Sequence, residues 1–213
     1  MFDPPPGYAD MLGDAATAAF ADRYGVLDVP GVGMVSARRP MPNATAALAM
    51  AGNVAISDTD RSDYVLLFVS DHLHPDDLER VFMEMALSEA PANSVELIAR
   101  AVATWGTARP YIAVITLAVM TAHHWRTIRL KLVQSGVHNP MALPTMHILL
   151  DATEAAILEA MSTGADGEMK RTVFIDRLYS PLSDPRRISD EAPPGFAADD
   201  TEDAFDAFAA AAR

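Results

Sequence analysis

The stretch "YIAVITLAVM", Tyr111–Met120, constrains this chain more than any other. It carries no charge and is apolar nearly all round, so it has no face to give to water. A membrane span needs about 20 apolar residues, and this run stops sooner, at "HHWR". The consistent reading is a buried helix, central in a bundle of others. Beyond it "HHWRTIRLKLVQSG" continues as one helical run that becomes amphipathic. Trp125, Ile128 and Leu132 share a stripe, and Gly136 is placed to cap its end.

Other segments supply the covering helices. "NATAALAMAG" predicts a short helix capped by Asn43 and ending near Gly52, and "SDTDRSDYVLLFVSDHL" opens with the acidic and hydroxyl residues a helix N-terminus favours. In that helix Tyr64, Leu67, Phe68 and Leu73 recur at helical spacing. "HPDDLERVFMEMAL" has Pro75 in its first turn and an apolar face of Leu78, Val81, Phe82, Met85 and Ala86. "APANSVELIARAVATWG" pairs Asn93 with Glu96 as a capping box. "TMHILLDATEAAILEAMS" follows the connector "VHNPMALP", lines Ile148, Leu149, Ala152, Ala156 and Leu158 along one face, and ends at Gly164. "EMKRTVFIDRLYSP" is anchored by Val173, Phe174, Leu178 and Tyr179. With 213 residues, half of them apolar and only 7% aromatic, the expected fold is all-α, a compact multi-helix bundle.

The ends differ from this core. Pro4, Pro5, Pro6, Gly7, Gly13, Gly25, Pro30, Gly31, Gly33, Pro40 and Pro42 punctuate an extended N-terminal arm, residues 1–42, with one helical candidate at Tyr8–Tyr24 and "LDVPGVGMVSARRPMP" as an extended segment. The core domain is then 43–180. Residues 181–213 form an acidic tail punctuated by Pro181, Pro185, Pro193 and Pro194, with Phe196, Phe205 and Phe208 spaced among carboxylates.

Composition excludes several function classes. A formal charge of −13 repels a phosphate backbone, so no nucleic acid partner is expected. The absence of cysteine removes disulfides, thiol catalysis and thiolate metal sites. "MFDPPPGYAD" is not a signal peptide, which predicts a cytoplasmic protein with no membrane partner.

Catalytic signals are thin. His147, Asp151 and Glu154 fall at i, i+4 and i+7, nearly one helix face, where an imidazole–carboxylate pair or a hard metal ion would want them. One helix cannot complete a coordination shell, and the spacing is not HExxH. The polar edge of an amphipathic helix accounts for the same pattern. His123 and His124 are adjacent and point about 100° apart. "PGVGMV" lacks both a GxGxxG pattern and its strand–helix context. The chain therefore reads as a non-enzyme with no cofactor and no metal.

The residues that remain point to interaction. Twelve methionines supply adaptable contacts, with Met83, Met85, Met120, Met141, Met146 and Met161 available to line an apolar groove. The expected partner-binding set is Phe82, Met85, Met120, Trp125 and Met146 in the core and Phe196, Phe205 and Phe208 in the tail.

"RPMPNATAALAMAGN" from Arg39, "FVSDHLHPDDLERVFMEM" from Phe68, the long stretch Arg109–Met161, and "DRLYSPLSD…PPGFAADDTEDAFDAFAAAA" near the end carry a resemblance. In these the chain resembles the tail assembly chaperones of long-tailed, siphovirus-type bacteriophages of actinobacteria. The resemblance implies a non-enzymatic protein that binds the tape-measure protein, and with it the major tail protein, while the tail tube forms. It implies action in the host bacterial cytoplasm and absence from the mature virion. It also implies self-association and a longer frameshifted form, this chain being the short one. The alternatives are a head–tail connector or other virion structural subunit, and a small hydrolase built on His147, Asp151 and Glu154.

Overall fold

Residues 24–161 and 166–179 are described in a computed structural model of the protein. They form eight α-helices, one two-stranded antiparallel sheet and a short 3-10 turn at Pro140–Ala142, so the chain is mainly helical as expected. Two compact units share it: Met1–Arg39 with Val69–Val102, and Pro40–Phe68 with Ala103–Arg213. All of the candidate helix Tyr8–Tyr24 except Tyr24 itself, the connection at 162–165 with Gly164, and the tail 181–213 lie outside the described residues.

In the first unit the expected extended segment is a hairpin. Strand β1 (Gly25–Val29) pairs with β2 (Gly33–Ala37), with Val29 opposite Gly33. Pro30 and Gly31 occupy the centre of a turn closed by the Val32 N–H donating to the Val29 carbonyl at 2.9 Å. Gly31 has φ +89°, which a proline followed by a left-handed residue requires of a type II turn. Alternation then sorts the side chains: Val29, Val35 and Ala37 are buried, while Val26 and Met34 face out.

The outer edge of β2 is satisfied rather than open. The end of α2 (Asp58–His72) and the start of α3 (Pro75–Ala86) reach it through Arg38 N–H to the His72 carbonyl (2.9 Å) and His74 N–H to the Ser36 carbonyl (2.8 Å). The Ser36 N–H donates to Asp77 at 2.8 Å. Arg80 joins Asp77 and Glu84 and donates to the Met34 carbonyl, so one helical face of charges holds the hairpin. Burial opposes ionisation of Asp77, but the Ser36 and Arg80 hydrogen bonds outweigh it and hold its pKa below the usual carboxylate value. Helix α4 (Ser94–Ala103) contributes the buried Ile98, Ala99 and Val102 to this unit.

The second unit is arranged on α5 (Tyr111–His123), whose Ala113, Val114, Leu117, Ala118, Met120 and Thr121 are all buried. It contacts α1 (Ala44–Ala51), α6 (Trp125–Gln134), α7 (Met146–Met161) and α8 (Gly167–Tyr179). Helix α1 holds Leu48 fully buried. Asn43 occupies its cap position without a side-chain cap bond, and the Thr45 hydroxyl donates instead to the Pro42 carbonyl at 2.6 Å.

Several expectations need correction. The run from Tyr111 is two helices, because His124 adopts φ −110°, ψ 23° and serves as the end of α5 and the start of α6. The break falls where burial on all sides gives way to a single stripe of Ile128 and Leu132. That stripe packs on Leu149 with Trp125, Val137, Leu143 and Ala152 around it. Gly136 ends α6 as expected, with φ +91°, Val137 N–H to the Leu132 carbonyl and Gly136 N–H to the Val133 carbonyl, the two bonds of a Schellman motif. On α7 the inward face is Met146, Leu149, Leu150, Thr153, Ile157 and Ala160, whereas Ile148 is exposed. Leu67 and Val173 are exposed as well, their helices turning Phe68 and Phe174 inward.

Gly52 marks a close approach of α1 to α5. A Cβ there would lie 2.4 Å from Ile115 Cγ2 and 2.9 Å from Val119 Cγ2, methyls on stiff β-branched side chains. Gly52→Ala is therefore expected to destabilise the protein by about 1–3 kcal/mol through overpacking. Urea denaturation checks this, and an unchanged midpoint would mean that α1 and α5 separate at no cost.

Candidate functional site

The three polar residues of α7 do not converge on one point. His147 is buried, with Nε2 3.1 Å from the Trp105 carbonyl. Asp151 and Glu154 turn instead to Arg109, which lies just before α5 where Pro110 holds the chain extended. The Arg109 side chain is only 12% exposed and pairs with both carboxylates, while its Nε also donates to the Tyr179 hydroxyl at 3.1 Å. Tyr179 in turn donates to Glu154 at 2.8 Å.

Electrostatics make this a clasp rather than a reactive centre. Burial works against the charge of Arg109, but the hydrogen bonds it donates to Glu154 and Asp151 outweigh it and raise its pKa. Burial and the Glu154 bond raise the Tyr179 hydroxyl too, leaving it a proton donor at neutral pH. Glu154 Oε2 and Asp151 Oδ1 accept from a guanidinium that cannot deprotonate in this range. Among the described residues no group of three His, Asp or Glu side chains is arranged to hold a metal ion. Sequence reasoning found both carboxylates and missed Arg109, 42 and 45 positions away; its only signal was a charge directly before an apolar helix.

Next to the clasp's helices lies an apolar cavity of about 390 Å³ lined by Pro42, Thr45, Ala46, Thr121, Trp125 and Met141, among others. Its two threonines are turned inward. Thr45 donates to its own helix entrance, and the Thr121 hydroxyl bonds the Leu117 carbonyl (2.7 Å) and the Thr153 hydroxyl (2.9 Å). What remains to greet a ligand is mainly hydrocarbon, one indole face and the exposed side chain of Asn43, a lining that suits an apolar or aromatic side chain. Met141 is exposed at 44%, and Trp125 is half-buried.

The first unit bears a separate apolar surface. On α3, Val81 is buried and Leu78 and Met85 are half-buried, but Phe82, Met83, Ala86 and Leu87 are exposed. Phe82 with Ala86, and Met83 with Leu87, are four apart and form neighbouring rows. Of the expected partner-binding residues, Phe82, Met85 and Trp125 thus reach the surface. Met146 is fully buried and Met120 is 8% exposed, so both are core side chains of the second unit. The reason is that α5 and α7 are apolar on several sides, and a methionine there fills the interior. Phe196, Phe205 and Phe208 lie outside the described residues.

Two family models match the chain. One, described as phage tail assembly chaperone protein, matches residues 1–110. The other, described as a family of unknown function, matches residues 120–213. No curated protein and no solved structure matches.

Arg109→Met leaves Glu154 with a charge in a site only 13% exposed. The loss is expected to be about 2–4 kcal/mol in denaturant unfolding, whereas Asp151→Asn, at a carboxylate 59% exposed, costs under about 1 kcal/mol. Equal effects would deny the clasp its core. A second expectation concerns His124, whose pKa burial, aided by the neighbouring His123, pushes down to about 4. The unfolded chain binds this proton near 6.5 and the folded chain does not, so stability falls as pH drops from about 6.5 toward 4. His124→Gln should flatten the dependence of the denaturation midpoint over that window. An identical slope would assign the acid sensitivity to other groups.

Proposed function

Because this chain belongs to the phage tail assembly chaperone family, we propose that its client is the tape-measure protein, held while tail-tube subunits polymerise. The role is non-enzymatic, exercised in the host cytoplasm, and ends before the particle is complete. The major tail protein is a second partner, and a longer frameshifted form sharing this N-terminus works beside this short form in a siphovirus-type phage of actinobacteria.

The observation that carries the reading is the family match over residues 1–110 of 213. Two features of the molecule support it. The exposed row Phe82, Met83, Ala86 and Leu87 offers an amphipathic helix a complementary apolar strip. The cavity at Trp125 offers an anchor point for a large side chain. A net charge of −13 keeps a complex with an aggregation-prone client in solution.

Co-expression with the tape-measure protein of the same genome, followed by pull-down and sizing, tests the reading. Capture is expected for the wild type. Phe82→Asp with Met83→Asp is expected to lower capture by about tenfold or more, as loss of a central apolar contact does. Purified virions should lack the chain. No capture, together with the chain at fixed copy number in virions, would make it a structural subunit instead.

A further inference from the structure

We propose that the cavity beside Trp125 is the docking site of this chain's own acidic C-terminal segment, with Phe205 and Phe208 entering it. The cavity's size fits: an apolar cavity of roughly 150 Å³ admits one benzene ring, and this one holds about 390 Å³. Its lining fits too, since the hydroxyls of Thr45 and Thr121 are committed to partners within the unit.

Charge selects the occupant. Helix α6, which begins with Trp125, carries Arg126, Arg129 and Lys131 and no acidic residue, a combination no other described helix has. Lys131 is paired with Glu159. Arg126 and Arg129 are exposed and make no ion pair among the described residues. Arg129 stands one turn from Trp125, on the same side of the helix. In a protein of net charge −13, the helix that supplies Trp125 to the cavity thus presents two exposed arginines close to it in sequence. The segment 196–213 has the complementary pattern: Asp199, Asp200, Glu202, Asp203 and Asp206 against the single Arg213, with Phe205 and Phe208 three apart.

Length permits the contact. Between Tyr179, where the described chain stops, and Phe205 lie 26 steps of chain. Extended, these span on the order of 80 Å. Joined through one chain, segment and cavity meet at an effective concentration far above that of separate molecules. A weak aromatic-plus-ionic contact is populated under that condition without a large interface.

A photo-cross-linking phenylalanine analogue at position 205 of the full chain tests this, with products mapped by mass spectrometry. Cross-links are expected within one chain, at cavity residues such as Trp125 and Met141. Arg126→Glu with Arg129→Glu should reduce their yield about fivefold, and adding Asp203→Lys with Asp206→Lys should restore it. Both arginines are exposed, and circular dichroism confirms that the variants fold. Cross-links falling elsewhere, yields indifferent to charge reversal, or products found only between isotopically distinguished copies would each overturn the proposal. The outcome is independent of the client: failed capture of the tape-measure protein with an intact cross-link removes only the former reading.

Discussion

A helix with no polar face must be covered on every side, and the second unit is the arrangement that covers α5. Helices α1, α6, α7 and α8 all touch it. The approach of α1 depends on a missing side chain, because Gly52 lets the end of α1 come within reach of Ile115 and Val119. Burial of α5 also explains why the chain breaks at His124. Beyond that point the sequence has only Ile128 and Leu132 to bury, so the helix must change direction to keep its charged face in water.

This packing cuts across the two family matches. The chaperone match ends at residue 110, yet α1, which lies inside it, packs on α5, which begins at Tyr111. Arg109, at the end of the same match, is held by Asp151, Glu154 and Tyr179, all within the second match. Within the second unit, the ion-pair clasp therefore joins residues of both matched regions.

The clasp shows how a constellation suited to chemistry becomes structural. An imidazole and two carboxylates on nearly one face can bind a metal or move protons only if their lone pairs stay available. Here His147 is drawn inward to the Trp105 carbonyl, and both carboxylates are engaged by a guanidinium. Among the described residues, two apolar surfaces stand apart from this clasp: a row on α3 in one unit and a cavity at Trp125 in the other.

Periodicity, caps and breakers made most helices legible in the sequence, because amphipathic spacing and residues such as Pro75 and Gly136 act through local backbone physics. The alternation of the hairpin was legible only as extended chain, since pairing needs the Pro30–Gly31 turn to close through the Val32 N–H on the Val29 carbonyl, and the outer edge of β2 is satisfied by the distant segment His72–His74. Tertiary structure alone decided the partner of Glu154, the burial of Met120 and Met146, and the exposure of Leu67 and Ile148. The physical reason is that spacing along a helix says which residues share a side, not which side the neighbours cover. Where a helix is apolar nearly all round, as α5 and much of α7 are, only the packed neighbours choose the inside.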